Sequence, residues 1–187
     1  MIALDSNASL LKQGEKLREY LNDPEHQYRL FVTMNSNAST TQAAMQNGLA
    51  KWYGDLNNKT YRRLKAEPQS SLWQGWGFLE GHEAEAAEQV TLHWHVLIGP
   101  GPTVKPLKYA DLMTSLNPGE EPLIQKHMQR AWQKVYPKGT IIVSYIDDLA
   151  GAVNYCTKDL CRPGLHLRRS HQAHSPLPFR KKEVHDT

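Results

Sequence analysis

Cysteine is scarce: Cys156 and Cys161 are the only two in 187 residues. Two thiols cannot staple a chain of this size, which excludes a disulfide scaffold and makes a reducing compartment the default. Together with His166 they match no standard zinc-ligand spacing. Long apolar runs are missing too, and no secretory signal is visible, so neither a membrane span nor export is expected. Internal repeats are absent, which removes solenoid architectures. The charge excess is small, a formal +3, but it is unevenly spread. Beyond Pro163 the chain carries Arg168, Arg169, Arg180, Lys181 and Lys182 with few acids, little hydrophobic periodicity and Pro176 and Pro178. That stretch reads as a flexible basic tail, 162–187, that either contacts phosphates or is simply solvated. The remaining 1–161 suffice for one domain with a real core.

The pattern along that domain alternates between helical and strand periods. Leu10, Leu17 and Leu21 predict a helix over 7–21, stopped at Asn22-Asp23-Pro24. Tyr28 to Met34 alternates as a strand, with Leu30, Val32 and Met34 on one face and Phe31, Thr33 and Asn35 on the other. Thr40 or Thr41 caps a helix whose stripe is Met45, Leu49, Trp52 and Leu56. Strands follow at Trp73 to Glu80 and at 90–98, joined as a hairpin through 81–89. After a Gly- and Pro-rich connection over 99–122, Ile124, Met128, Ala131 and Val135 mark another helix. A strand at 140–146 and a final helix complete the order. The result is an α+β domain: an antiparallel sheet with a split βαβ core, β-α-β-β-α-β, helices on one face and the other face open.

Two segments carry chemistry. In Val90-Thr-Leu-His-Trp-His-Val-Leu-Ile98, His93 and His95 share one face of a strand while Leu92, Trp94, Val96 and Ile98 point into the core. Two imidazoles on an open face are half of a divalent-metal site, although one His-x-His among nine histidines also arises by chance. A carboxylate must complete the set. Glu80 shares that face when Trp73, Gly75, Gly77 and Leu79 point to the core; a one-residue slip turns it away and leaves Glu83 as the substitute. The second segment is Gly151-Ala-Val-Asn-Tyr155-Cys-Thr-Lys158-Asp-Leu160, a helix capped by Asp147 or Asp148. Leu149, Val153, Cys156 and Leu160 form its buried stripe, and Tyr155 and Lys158 lie on the other side, with Gly151 leaving room beside the ring. A phenol beside an ammonium suits attack on a phosphate, the tyrosine as nucleophile and the lysine offsetting charge; an ordinary surface pair has the same spacing.

Taken in order, Phe31-Val-Thr-Met-Asn35, Leu92-His-Trp-His-Val-Leu97 and Val153-Asn-Tyr-Cys-Thr-Lys158 resemble the three motifs of the HUH endonuclease superfamily, over residues 28–160. Because Tyr155 follows the histidines and stands alone in its motif, the chain is similar to the single-tyrosine replication initiators (Rep) of rolling-circle replication rather than to conjugative relaxases. The resemblance implies Mg²⁺ or Mn²⁺ on His93, His95 and Glu80, with Tyr155 and Lys158 catalytic. It implies single-stranded or hairpin origin DNA of a plasmid, phage or small circular genome as partner, in a bacterial cytoplasm. Phe31, Thr33 and Asn35, with Arg168 and Arg169, are the candidate DNA contacts; Phe31 and Trp76 can stack bases, though core packing explains Trp76 better. No G-x-x-x-x-G-K-[ST] is present, so unwinding falls to a separate helicase. Two other readings share these elements: an HUH transposase or relaxase-like nuclease, and a non-catalytic RNA-recognition-like module on the same topology.

Overall fold

A computed structural model of the chain describes residues 4–61, 73–83, 90–100, 122–158 and 173–177. In these the hydrophobic pattern becomes α1 (Leu4–Leu21), β1 (Leu30–Asn35), α2 (Gln42–Tyr61), β2 (Gln74–Glu83), β3 (Val90–Gly99), α3 (Leu123–Gln133), β4 (Thr140–Tyr145), α4 (Leu149–Cys156) and β5 (Ala173–Leu177). The five strands form one sheet in the order β4-β1-β3-β2-β5, antiparallel throughout. β1 reaches β2 through α2 and β3 reaches β4 through α3, each connection passing over one intervening strand. The architecture is α+β.

One face carries the main core. Leu30, Val32 and Met34 of β1, Trp94, Val96 and Ile98 of β3 and Ile141 of β4 pack under Met45, Leu49, Trp52 and Leu56 of α2 and Ile124, Met128, Ala131 and Trp132 of α3. The helical stripe read from the sequence is the buried one, and Thr41 rather than Thr40 caps α2, its Oγ1 accepting from the Ala44 amide at 3.2 Å. Buried indoles need a partner for N–H, and three of them find a backbone carbonyl: Trp52 donates to Met128, Trp94 to Met45 and Trp132 to Asn35. Gly77 lacks a side chain where Leu49 and Trp94 close over β2, so α2 approaches the sheet there without a ridge.

The opposite face is not open. Helices α1 and α4 cover part of it, burying Leu21, Val153 and Cys156 on Phe78 and Leu97, with Leu17, Phe31, Trp76 and Leu149 at the margin. The expectation of helices on one face only is therefore corrected. The cause is compositional: this face holds Phe31, Trp76, Phe78 and Leu97 at one end, and leaving them in water would waste roughly 1.5–3 kcal/mol for each large side chain. Trp76 packs in this second cluster, its ring 6.0 Å from that of Tyr20. The β4 edge stays uncovered, with Thr140, Ile142 and Ser144 exposed.

Inside the stretch read as a flexible tail, Ala173–Leu177 pairs with β2 as an edge strand. Pro176 argued against a strand there, but at a sheet edge a missing N–H is tolerated. Arg168 and Arg169 lie outside the described residues, as do the connection 101–121 and Leu160.

Leu49 is fully buried between α2 and the sheet. Leu49→Ala should cost about 2–5 kcal/mol, read as a lower urea midpoint with an unchanged slope.

Candidate metal centre and tyrosine site

Register assembles the polar half of the second face. In the β2–β3 ladder Glu80 lies opposite His93 and Phe78 opposite His95. In the β1–β3 ladder Asn35 lies opposite His93 and Thr33 opposite His95. Direct partners on an antiparallel pair share a face and stand close, so the two ladders bring Glu80, both histidines, Thr33 and Asn35 together. The Glu80 alternative is the one realised: Glu80, His93 and His95 form a buried group whose ligand atoms lie within 4.8 Å of one another. Glu83 pairs with Val90 at the end of the ladder instead.

The donors converge on one point. His95 Nε2 lies 3.1 Å from both Glu80 Oε2 and His93 Nε2, and His93 Nε2 lies 3.5 Å from the same carboxylate oxygen. One ring nitrogen offers a single proton or a single lone pair, so hydrogen bonding cannot satisfy this triangle. A divalent ion at its centre would. Ligands at about 2.1 Å in neighbouring octahedral positions stand about 3 Å apart, and tetrahedral zinc ligands only slightly further. The three residues can hold a metal ion, and the spacing does not choose among metals.

Protonation favours the same use. Burial pushes the His95 pKa down to about 4, with His93 adding to the effect and Glu80 opposing it. The imidazole is thus neutral at pH 7, as a ligand must be. Burial pushes Glu80 up, but the hydrogen bond and charge of Lys158, with smaller help from His95 and His93, outweigh it and hold the carboxyl below its usual range. Thr33 Oγ1 lies 3.1 Å from His95 Nδ1. The tautomer that leaves Nε2 free to ligate carries its proton on Nδ1 and donates it to that hydroxyl. Thr33 is thus held against the centre, and Phe31 stacks on the His95 ring at 5.4 Å. Both, named above as candidate DNA contacts, flank the imidazole and fix its plane. Asn35 is half-buried, and its carbonyl accepts from the Trp132 indole.

Helix α4 delivers the tyrosine. Asp148 is its N-cap, Oδ1 accepting from the Gly151 amide at 2.9 Å. That carboxylate fills the space where a Gly151 side chain would sit, so the absent side chain at Gly151 serves the cap. Val153 and Cys156 are buried as expected, and burial, followed by the Glu80 charge, pushes the Cys156 thiol up to about 12. Tyr155 stands 46% exposed with its ring edge-on to His95 at 5.1 Å and to Phe31 at 6.0 Å. Lys158 follows in the turn after the helix. Its ammonium contacts Glu80 Oε1 at 2.6 Å and lies 4.2 Å from the centre of the Tyr155 ring.

Two contributors were not singled out from the sequence. Arg18 of α1 donates from Nε to Thr157 Oγ1 at 3.3 Å, and that hydroxyl donates to the Val153 carbonyl at 2.8 Å. With Leu17 and Leu21 beside Val153 and Cys156, they pin the end of α4. Leu17 and Leu21 were legible as an apolar stripe; nothing local told which surface they would cover. The correction to the histidines has the same origin. Expected on an open face, His93 and His95 are 6% and 5% exposed, since α4 lies over them.

Thr33→Val keeps the shape and removes the hydroxyl; it should weaken Mn²⁺ binding in calorimetry about tenfold or more, as loss of a partner to a ligating histidine does. In chelator, stability should fall as pH drops from 6.5 towards about 4, because the unfolded chain takes up a proton that folded His95 refuses. The depressed Glu80 adds to that loss at lower pH. His95→Gln should flatten the slope in acid titrations followed by urea melts. No family model, curated protein or solved structure matches the chain.

Proposed function

We propose that the chain is a metal-dependent nuclease of the HUH type that nicks and rejoins single-stranded DNA through Tyr155, as an initiator of rolling-circle replication does. The observation that carries this reading is the meeting of a buried Glu80/His93/His95 donor set with Tyr155 and Lys158 on one short helix end. The strand order and the two helical crossovers are compatible with the ferredoxin-like core that HUH nucleases and RNA-recognition domains share. Where a base-binding module would present aromatic rings on its central strand, β3 presents His93 and His95, which favours metal chemistry over stacking.

A divalent ion held by Glu80, His93 and His95, Mg²⁺ or the more imidazole-tolerant Mn²⁺, would supply Lewis acidity at the scissile phosphate. The chain's own residues do the rest. Tyr155 Oη attacks phosphorus, the P–O3′ bond breaks, and the phenolic proton leaves as the 3′-oxygen gains one. The products are a 5′-phosphotyrosine and a free 3′-hydroxyl. A 3′-hydroxyl attacking that phosphotyrosine reverses the step and rejoins the strand, without a nucleotide cofactor. The Lys158 ammonium, beside the Tyr155 ring, offsets negative charge on the phosphate. With α1 and α4 over the other half of this face, DNA would approach across the uncovered β4 edge past Ile142 and Ser144.

Incubation with single-stranded origin candidates and Mn²⁺ should give a covalent protein–DNA species on denaturing gels. Tyr155→Phe should abolish cleavage and rejoining together, with DNA affinity nearly unchanged, and His93→Ala or His95→Ala should abolish metal-dependent nicking. Tyr145→Phe should retain both activities, since Tyr145 pairs with Leu30 in the ladder and so belongs to the α2/α3 face. Peptide mapping that places the nucleotide on any other tyrosine would sink the assignment.

A further inference from the structure

Glu80 is the one carboxylate in the metal-ligand group found among the described residues. Its two oxygens are divided: Oε2 faces His93 and His95, while Oε1 carries the Lys158 ammonium at 2.6 Å. Lys158 is no wandering surface lysine. It sits in the turn where α4 ends, its amide hydrogen-bonded to the Tyr155 carbonyl, its ammonium against the Tyr155 ring and its side chain only 28% exposed. The preceding residue, Thr157, is fully buried and tied to Arg18 of α1.

Charge counting then has a definite consequence. The Glu80 carboxylate and the Lys158 ammonium cancel, and imidazoles that ligate a metal bring no negative charge. A divalent cation entering this set brings two uncompensated positive charges into a buried region, close to a fixed ammonium. Like charges a few ångströms apart under a low effective dielectric repel substantially, and unpaired buried charge is expensive. An anion arriving with the cation removes much of that cost, and the ammonium that repels the cation attracts the anion.

We propose that Lys158 is an electrostatic gate on the metal centre: by holding Glu80 it weakens binding of a divalent ion alone and makes occupancy depend on a phosphodiester bound beside it. This deepens the reading given above and rests on its metal site. The two bound species reinforce each other reciprocally, as linkage requires. Metal would then remain in place mainly while a phosphodiester is present, and Lys158 would ligate neither the metal nor a surface acid but arbitrate between Glu80 and the phosphate.

The test is calorimetric titration of Mn²⁺ into the metal-stripped full chain, with dimethyl phosphate as the anionic probe. Lys158→Gln and Lys158→Met should bind Mn²⁺ alone about tenfold or more tighter than the parent, whereas Lys158→Arg, which keeps the charge, should stay near it. Dimethyl phosphate should tighten Mn²⁺ binding in the parent and in Lys158→Arg, and do so much less in the two neutral variants. Two neutral substitutions keep the comparison standing where circular dichroism shows one of them unfolded. Neutral variants that bind Mn²⁺ as the parent does, or more weakly, would overturn the gate; an unchanged effect of dimethyl phosphate would overturn its dependence on an anion. Because binding is read and no DNA is cut, a chain that shows the coupling yet forms no tyrosine adduct counts against the nuclease alone.

Discussion

The site depends on one constraint, the register of β2 and β1 on β3. Side chains on a strand repeat every two residues, so a slip of one residue in either ladder would exchange the faces. Glu80 would join the α2 core as an unpaired carboxylate, and Leu79 would sit among the imidazoles. That exchange would bury charge on one side and waste apolar surface on the other, each at a cost of several kcal/mol. The hydrophobic core under α2 and α3 therefore does more than stabilise the domain. By fixing Leu79, Trp94, Val96, Val32 and Met34 inward, it fixes Glu80, His93, His95 and Thr33 outward.

The second face is built in two halves. At one end Phe31, Trp76, Phe78 and Leu97 accept α1 and α4; at the other, Thr33, His93, His95 and Glu80 stay polar. Helix α4 bridges the halves. Its buried side, Val153 and Cys156, anchors on the apolar half, and its end projects Tyr155 and Lys158 over the polar one. The packing that lowers solvent exposure of the histidines also keeps His95 neutral and lets Lys158 reach Glu80. Burial, protonation state and ion pairing thus share one cause.

A conspicuous feature of the centre is that its ion pair joins the Glu80/His93/His95 group to the end of the helix that carries Tyr155. In most metal sites the ligating carboxylate takes an outer partner that fixes its orientation. Here the partner of Glu80 is a cation from the turn that ends α4, so a single ammonium ties the carboxylate to the Tyr155 ring. Arg18 and Thr157 give that linkage a firm base in the N-terminal helix.

Much of this was legible in the sequence. Alternation in Leu30–Asn35 and in Val90–Gly99 assigned residues to the two faces of the sheet correctly, and the stripe Met45, Leu49, Trp52, Leu56 named the buried side of α2. These are local patterns, set by the geometry of a single strand or helix. Glu80 was the carboxylate the sequence put first, but only the ladder between two strands decided it against a slip to Glu83. Not legible were the covering of the second face by α1 and α4, the Arg18–Thr157 contact and the edge strand at Ala173–Leu177. An apolar stripe states that a surface must be covered but not by which partner, and a short edge strand with a proline shows no period to read. Sequence determined which residues face which way along each element. Tertiary packing alone decided which faces meet, because contact between distant segments is fixed by the whole core and by no local pattern.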